Sequence, residues 1–232
     1  MVYKRDACPE CGACSFMGTA STMQVMAEAL GIALPGSALI PTHIHALKEM
    51  AHQAGQRATK LAKEELKPSD IMTVKTFENA IMVHAAIAGS SNSLLHLPAI
   101  AHELDIQIPP KLFDEIHRKI PFLLNIRPSG FWPGEYFWYA GGVPAIMEEI
   151  RKFLHLDVLT ITGKTLGENL EELKQNGFYE RCRKNLPALG VKASGIIKPV
   201  GSPIKTQGAI AILKGNLAPE GAVVKHAVSH RN

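Results

Sequence analysis

Three of the four cysteines in this chain lie close together near its start. Cys8, Cys11 and Cys14 fall within seven residues, whereas Cys182 stands alone far downstream. A secreted protein stabilised by disulfides would distribute its cysteines differently. Closely spaced thiols in a reducing compartment instead suit a metal ion or an iron–sulfur cluster. Incidental free or buried cysteines are the alternative.

The cysteine spacing leaves three kinds of metal site open. A structural zinc site needs four ligands, which His43 and His45 could complete. A ferredoxin-like run of cysteines normally includes a nearby fourth cysteine, which is missing here. In the third interpretation, one of the three cysteines binds a cluster whose other ligands come from elsewhere. A helix predicted over 19–30 favours such a site, because its positive N-terminal end stabilises a thiolate or an anionic cluster.

A second segment, Thr162-Gly163-Lys164-Thr165, has the residue types that close a phosphate-binding loop. The first glycine of that motif would fall at position 158, where the chain has Val158. The motif is therefore incomplete. We expect Thr165 to cap the helix that follows it instead.

The composition is that of an ordinary globular protein. The chain has 232 residues, of which 46% are hydrophobic and 20% charged, with a net charge of +4. The basic residues are spread along the chain, which argues against a nucleic-acid-binding groove. No apolar run reaches the roughly 18 residues that a membrane helix needs, and the first residues lack the apolar core of a signal peptide. We therefore expect a cytoplasmic protein without a nucleic-acid or membrane partner.

The elements that must position these residues alternate between helices and strands. Apolar periodicity and capping residues predict helices over 19–30, 43–66, 77–88, a further segment ending near 104, 110–119 and 142–154. Buried strands are expected over 121–126 and 156–161, with a loop rich in Gly, Pro and aromatic residues over 127–142. This alternation predicts a layered α/β domain over 1–187 that is incomplete at its N-terminus.

The pattern of apolar and turn-forming residues changes after residue 187. Short apolar runs over 195–200, 208–213 and 222–225 are bounded by Gly, Pro and Asn, as is typical of strands and turns. So few strands cannot form an independent β domain. We expect 188–232 to be the truncated start of a β-rich, barrel-like C-terminal domain.

Ordered blocks spread over nearly the whole chain resemble one family of enzymes. The blocks are 14–23 (CSFMGTASTM), 27–32 (AEALGI), 34–37 (LPGS), 77–81 (FENAI), 89–92 (GSSN) with 95–97 (LHL), 139–144 (YAGGVP) and 215–221 (GNLAPEG) with Lys225. They resemble the dihydroxy-acid and sugar-acid dehydratases, a family that includes dihydroxy-acid, phosphogluconate, arabinonate and xylonate dehydratases.

The resemblance implies a hydro-lyase that acts on a small hydroxy acid. In this family three cysteines from separate segments hold an iron–sulfur cluster, of the two-iron or four-iron type, whose open iron takes the leaving 3-hydroxyl. A Mg2+ ion holds the substrate carboxylate and 2-hydroxyl, and the product is a 2-keto-3-deoxy acid. The cluster ligand that carries over to this chain is Cys14. Cys8 and Cys11 fall where the family tolerates other residues.

The resemblance also implies that much of the family's site lies outside this chain. The other two cluster cysteines and the first Mg2+-binding carboxylates fall before its start, and the last Mg2+-binding glutamate and the serine base fall beyond its end. The chain resembles the middle of an enzyme more than twice as long, and we expect it to be inactive alone. The alternative is a non-catalytic, truncated remnant. Family members generally form homodimers or homotetramers.

Two residues are candidates for substrate binding. Asn92 and His96 lie at the family's small-residue turn, although Asn92 could simply cap a helix and His96 could be an ordinary histidine on an apolar face. The aromatic residues within 132–139 could line a substrate wall, form a subunit contact or pack in the core. Segments 17–23 and 127–139 look more like sugar-acid dehydratases, so we expect an aldonate substrate. The alternative is the dihydroxy-acid dehydratase of branched-chain amino-acid biosynthesis.

Overall fold

The computed structural model describes residues 14–227, so Cys8 and Cys11 lie outside the described residues. The α-helices are α1 Thr19–Ala29, α2 Ala46–Glu64, α3 Pro68–Ile71, α4 Val74–Ile87, α5 Ser93–His102, α6 Pro110–His117, α7 Glu135–Tyr139, α8 Gly142–Glu149, α9 Leu166–Gln175, α10 Phe178–Arg183 and α11 Ala193–Ile196. Short 3-10 turns occupy Arg151–Phe153 and Pro187–Leu189, and the strands are β1 Ile210–Gly215 and β2 Ala218–Lys225. The predicted α/β class is confirmed, with helices followed by an antiparallel strand pair.

Helix α4 lies at the centre of the core. Its sequence is apolar around most of its circumference, and such a helix is stable when it is buried on all sides. Phe77, Ile81 and Val83 are fully buried, and α1, α6 and α8 pack against the helix. At its start, the Thr73 N–H donates to the Thr76 hydroxyl at 2.6 Å. Helix α4 is thus the common support of the elements around it.

Helix α2 lies on the outside of the molecule. None of its 19 residues is buried. The Arg57 guanidinium anchors the helix by donating to the Ile161 carbonyl, and it also donates to the Glu64 carboxylate within α2 at 2.6 Å and 2.8 Å. Of the helices within 14–227, α2 included, none combines the length and the apolar character needed to cross a membrane.

The prediction of regular strands over 121–126 and 156–161 is wrong. Residues 121–126 are buried except for the half-buried Asn125, but they make only single bridges, such as Leu124 with Ile197. In 156–161 a single bridge joins Leu159 to Thr165. A regular strand needs an extended neighbour in continuous register. Within residues 14–227 the segments beside these two are short turns, so no ladder forms.

Three smaller predictions also need correction. The loop predicted over 127–142 contains helix α7, whose aromatic residues Phe137 and Trp138 are buried, so that packing favours a helical turn. The helix predicted over 142–154 ends at Glu149, because the fully buried Ile150 leaves helical geometry with φ −100° and ψ 13°. The strand predicted over 195–200 begins instead within α11, whose Ile196 is fully buried.

The predicted strands nearest the C-terminus are confirmed as the hairpin β1–β2. Ile210 lies opposite Lys225 in the antiparallel register. Strand β1 packs on α6: the Ile212 N–H donates to the Asp114 carboxylate at 2.9 Å, and the Ile210 N–H donates to the His117 ring at 3.1 Å. An isolated strand pair is only marginally stable, so this docking on α6 stabilises the hairpin.

Candidate functional site

Cys14 is half-buried and does not belong to a disulfide. The backbone that follows it is fixed on two sides: the Met17 N–H donates to the Arg127 carbonyl at 2.7 Å, and the Gly134 N–H donates to the Ser15 carbonyl at 2.7 Å. Gly134 allows this approach, since a Cβ there would lie 3.3 Å from the Cys14 carbonyl oxygen. The cysteine is therefore held at a defined place while remaining partly exposed.

Helix α1 begins five residues after Cys14, at Thr19. Gly18 occupies the N-cap position and supplies no side-chain oxygen to the first turn. The N–H groups of that turn therefore keep the partial positive charge of a helix N-terminus. This potential favours an anionic group, such as a thiolate, near the start of the helix.

The turn at 89–92 lies against the start of α1. The Asn92 side-chain amide donates to the Thr19 hydroxyl at 2.6 Å, and the hydroxyls of Thr19 and Ser90 are 3.2 Å apart. The Ser90 N–H donates to the Thr22 hydroxyl at 3.0 Å. Three hydrogen bonds thus join the turn to the first turn of α1, which brings the predicted residue Asn92 to the helix that follows Cys14.

The structure separates the two candidate substrate-binding residues by their surroundings. Asn92 occupies the N-cap position of α5, but its side chain makes no capping hydrogen bond and binds Thr19 instead. His96 is exposed one turn further along α5, and its N–H donates to the Asn92 carbonyl at 3.1 Å. Capping by the Asn92 side chain is therefore wrong. A role for either residue in substrate binding stays a prediction.

The alternative zinc ligands do not converge on Cys14. His43 Nε2 lies 3.2 Å from the Tyr139 hydroxyl, and His45 Nε2 lies 3.6 Å from a Glu49 carboxylate oxygen. Among residues 14–227, no group of three or more His, Cys, Asp or Glu side chains is placed to hold a metal ion. The described residues therefore do not complete a metal site around Cys14.

The aromatic residues of 132–139 divide into two groups. Phe137, Trp138 and Tyr139 are buried, and the Trp138 indole N–H donates to a backbone carbonyl at 3.1 Å. These three pack in the core. Trp132 and Tyr136 are half-buried and stack with their ring centroids 5.0 Å apart. Trp132 and Tyr136 are thus the more exposed pair, whereas Trp138 and Tyr139 reach solvent only through a cavity that they line.

Two buried histidines behind the turn are not among the residues that the sequence singles out. His84 Nε2 lies 2.9 Å from the Ser90 carbonyl oxygen, and His84 Nδ1 lies 3.1 Å from His117 Nε2. Burial lowers the pKa of His84 to about 4 and lowers the pKa of His117 well below its usual value. Both rings are therefore neutral at pH 7. The available signal was a polar residue, His84, within the otherwise apolar second half of α4.

Two cavities lie away from this site. One of about 440 Å³ opens beside Trp138, and one of about 360 Å³ opens beside Tyr179. Cys14, Asn92 and His96 line neither of them. We define the candidate site by the place where the Cys14 segment and the 89–92 turn meet the start of α1.

Two family models match the chain, one on each side of the predicted boundary. The model described as dihydroxy-acid/6-phosphogluconate dehydratase N-terminal matches residues 1–169, and the corresponding C-terminal model matches residues 195–232. The class of protein is thus that of the dehydratases. The chain belongs to the dihydroxy-acid/6-phosphogluconate dehydratase family.

Individual relatives agree with this assignment. The dihydroxy-acid dehydratase of Caldicellulosiruptor saccharolyticus is 42% identical over 224 residues, which cover 96% of this chain and 38% of the relative. Dihydroxy-acid dehydratase 1 of Methanosarcina acetivorans is 45% identical over 221 residues, with 95% and 38% coverage. The chain therefore spans 38% of the length of these two curated relatives.

Proposed function

We propose that the whole protein is a hydro-lyase that removes water from a 2,3-dihydroxy acid to give a 2-keto-3-deoxy acid. The observation that carries this proposal is Cys14, half-buried and outside any disulfide beside the start of α1, in a chain of a dehydratase family. This is the position at which the family resemblance requires a cluster thiolate.

Cys14 would supply one of three cysteine ligands to an iron–sulfur cluster. When bound, such a cluster with an accompanying Mg2+ would supply the Lewis acidity that weakens the bond to the leaving hydroxyl. The residues of this chain would have three other tasks. The N-terminus of α1 would stabilise the Cys14 thiolate, the Thr19–Asn92 hydrogen bond would hold the adjoining turn, and Asn92 and His96 would contact the substrate.

Exposed apolar side chains support completion of the site by further polypeptide. Phe16, Leu95 and Phe131 lie in the segments that carry or adjoin the site, and they are 43%, 69% and 64% exposed. Exposed apolar side chains of this size are suited to burial at a contact with other polypeptide. We propose that other segments, or a second subunit of a homodimer or homotetramer, cover them and supply the missing ligands. We also propose a domain boundary between residues 187 and 188. The two family-model matches, over 1–169 and 195–232, support a boundary in the interval between them.

The substrate has two candidates within this function. Segments 17–23 and 127–139 favour a sugar acid of the aldonate type. The relatives are named dihydroxy-acid dehydratases, and the branched 2,3-dihydroxy acid of amino-acid biosynthesis is the alternative substrate. The test is anaerobic assay of the whole protein with a panel of aldonates beside 2,3-dihydroxyisovalerate, following 2-keto acid formation. Preference for an aldonate would support the first candidate, and preference for the branched acid would support the second.

The same assay also tests the alternative of another class, a non-catalytic remnant. Turnover of none of these acids by an iron-loaded, Mg2+-supplied preparation would contradict the hydro-lyase proposal. The coding sequence on either side then provides a second check. If the reading frame around this chain encodes two further cysteines upstream and acidic and serine motifs downstream, the chain is part of an enzyme; unrelated flanks favour the remnant.

A further inference from the structure

His84 and His117 form a hydrogen-bonded chain whose direction can be read from both ends. A backbone N–H can only donate, so the Ile210 N–H at 3.1 Å makes His117 Nδ1 an acceptor. A carbonyl can only accept, so the Ser90 carbonyl at 2.9 Å makes His84 Nε2 a donor. The remaining contact, His117 Nε2 to His84 Nδ1 at 3.1 Å, then has His117 donating. Both rings are neutral Nε2–H tautomers, and all four ring nitrogens are used.

Two glycines make room for this pair of rings. A Cβ at residue 208 would lie 2.5 Å from His117 Nδ1, and a Cβ at residue 89 would overlap the His84 ring. Both rings are also almost completely removed from solvent, with His84 0% and His117 1% exposed. Neither ring can therefore turn or exchange partners without moving the backbone beside it.

The hydrogen-bonded histidine pair joins two parts of the molecule that are distant in sequence. At one end it holds Ile210 at the start of β1, and the Gly208 N–H also donates to the His117 carbonyl at 2.7 Å. At the other end it holds the Ser90 carbonyl in the turn that binds Thr19. Both ends are backbone amide groups, which do not release or accept protons in this pH range. The pair therefore cannot serve as a proton wire and can only hold its two ends together.

We propose that His84 and His117 are positioning residues that fix the 89–92 turn, and with it the start of α1, relative to the β1–β2 hairpin. A displacement of the hairpin is transmitted through two rigid rings to the turn beside the Cys14 segment. Its importance for dehydration rests on the proposed function, but the linkage itself is a property of this chain. It can therefore be tested without a cluster, a substrate or activity.

The direct test is the tautomeric state of the two rings in the purified, 15N-labelled chain. Long-range 1H–15N spectra at pH 7 distinguish a protonated from an unprotonated ring nitrogen. We expect both His84 and His117 to carry their proton on Nε2 and neither to be charged. An Nδ1–H tautomer of either ring, or a charged ring, would overturn the proposal. This measurement needs no variant, so it does not depend on the stability of one.

A pair of isosteric variants separates holding the turn from merely filling the core. In His84→Gln the amide nitrogen can replace Nε2 and still donate to Ser90, whereas in His84→Asn the amide replaces Nδ1 and the bond to Ser90 is lost. We expect the Ser90 and Ser93 amides to exchange with solvent roughly tenfold faster in the Asn variant than in the Gln variant. Equal exchange in both variants would mean that the ring only fills space.

A substitution at the hairpin end tests whether a displacement of the hairpin passes through the histidine pair to the 89–92 turn. Gly208→Ala presses on His117, whereas Gly201→Ala, in the same segment, meets nothing within 4 Å and is the matched control. We expect Gly208→Ala, but not Gly201→Ala, to shift the His84 ring-nitrogen and Ser90 amide resonances. If both substitutions leave these resonances in place, the hairpin and the turn are independent and the proposal fails.

Discussion

The Asn92 side chain donates to the Thr19 hydroxyl at 2.6 Å, across 73 residues of sequence. This contact joins the turn before α5 to the first residue of α1, close to the one cysteine that matches the family's cluster ligand. The turn and the helix start therefore behave as one unit.

The Asn92–Thr19 hydrogen bond predicts energetic coupling between the two residues. We expect the double variant Asn92→Ala/Thr19→Val to lose less stability than the sum of the single variants, with a coupling of about 0.5–1.5 kcal/mol. Urea unfolding of the four proteins measures it. As a control, Asn92→Ala should be additive with Thr59→Val, whose hydroxyl bonds locally within α2. Additivity in both pairs would contradict the coupling.

The close approach of Gly134 to the backbone after Cys14 predicts that a larger residue at position 134 will destabilise the protein. A Cβ at this position would lie 3.2 Å from the Ser15 carbonyl carbon, so Gly134→Ala should displace the segment and cost about 1 kcal/mol or more. The matched control is Gly55→Ala within α2, which meets nothing within 4 Å. Gly55→Ala should stabilise the chain by up to about 1 kcal/mol, because alanine is the better helix former. Thermal unfolding that moves both variants in the same direction would contradict this prediction.

The buried histidine pair predicts a loss of stability on acidification. Burial, together with the positive charge of Lys225, lowers the pKa of His84 from 6.5 to about 4; burial and the neighbouring His84 and His226 lower the pKa of His117 well below 6.5. Between pH 6.5 and 4 the unfolded chain therefore binds protons that the folded chain does not, and stability falls by up to about 1.4 kcal/mol per pH unit for each histidine.

Urea unfolding at pH 7, 6 and 5 measures this histidine contribution. His84→Gln should reduce the pH dependence, whereas replacing the exposed His102 by Gln should leave it unchanged. An identical pH dependence in wild type and His84→Gln would show that His84 is not kept neutral by the fold.

The buried carboxyl of Glu28 predicts a pH dependence of folding stability opposite to that of the histidine pair. Burial raises the pKa of its carboxyl to about 7, even though its oxygens accept from the Gly36 and Ala38 N–H groups at 2.6 Å and 2.8 Å. Between pH 7 and 4.5 the folded chain therefore holds a proton that the unfolded chain lacks, and this contribution to stability is lost as pH rises through 7.

Glu28→Gln should accordingly have two effects. It should cost about 1–3 kcal/mol at pH 6, because the amide NH2 faces a buried N–H donor. It should also make the loss of stability between pH 7 and 4.5 steeper than in the wild type. Urea unfolding over this range checks both, and a shallower acid dependence in the variant would contradict the assignment of the raised pKa to Glu28.

The sequence predicts those parts of the fold that depend on local signals. Helix α1, the end of α4 at the 89–92 turn and the hairpin β1–β2 are found where apolar periodicity and Gly or Pro place them. The Thr165 cap is confirmed, since its hydroxyl accepts from the Glu168 N–H at 3.2 Å. These features require only residues that are close together in the chain.

The remaining features depend on contacts between distant residues. Segment 121–126 has the composition of a strand, but a strand also needs a partner, and the segments beside it are short turns. The bond from Asn92 to Thr19 and the pairing of His84 with His117 appear only when α1, α4 and α6 are packed together. No local pattern specifies such pairs, so the sequence indicates Asn92 without its partner and leaves the histidines unnoticed.

The central claim is that Cys14 is a cluster ligand of a dehydratase, and Cys182 provides its matched control. Cys182 is 2% exposed, and burial raises the pKa of its thiol to about 12, so it is not expected to bind metal. The most direct measurement is iron content and cluster absorbance of the anaerobically purified whole protein, together with its dehydration activity. Cys14→Ala should abolish all three, whereas Cys182→Ala should retain them. Retention of the cluster and of activity in Cys14→Ala would contradict the account.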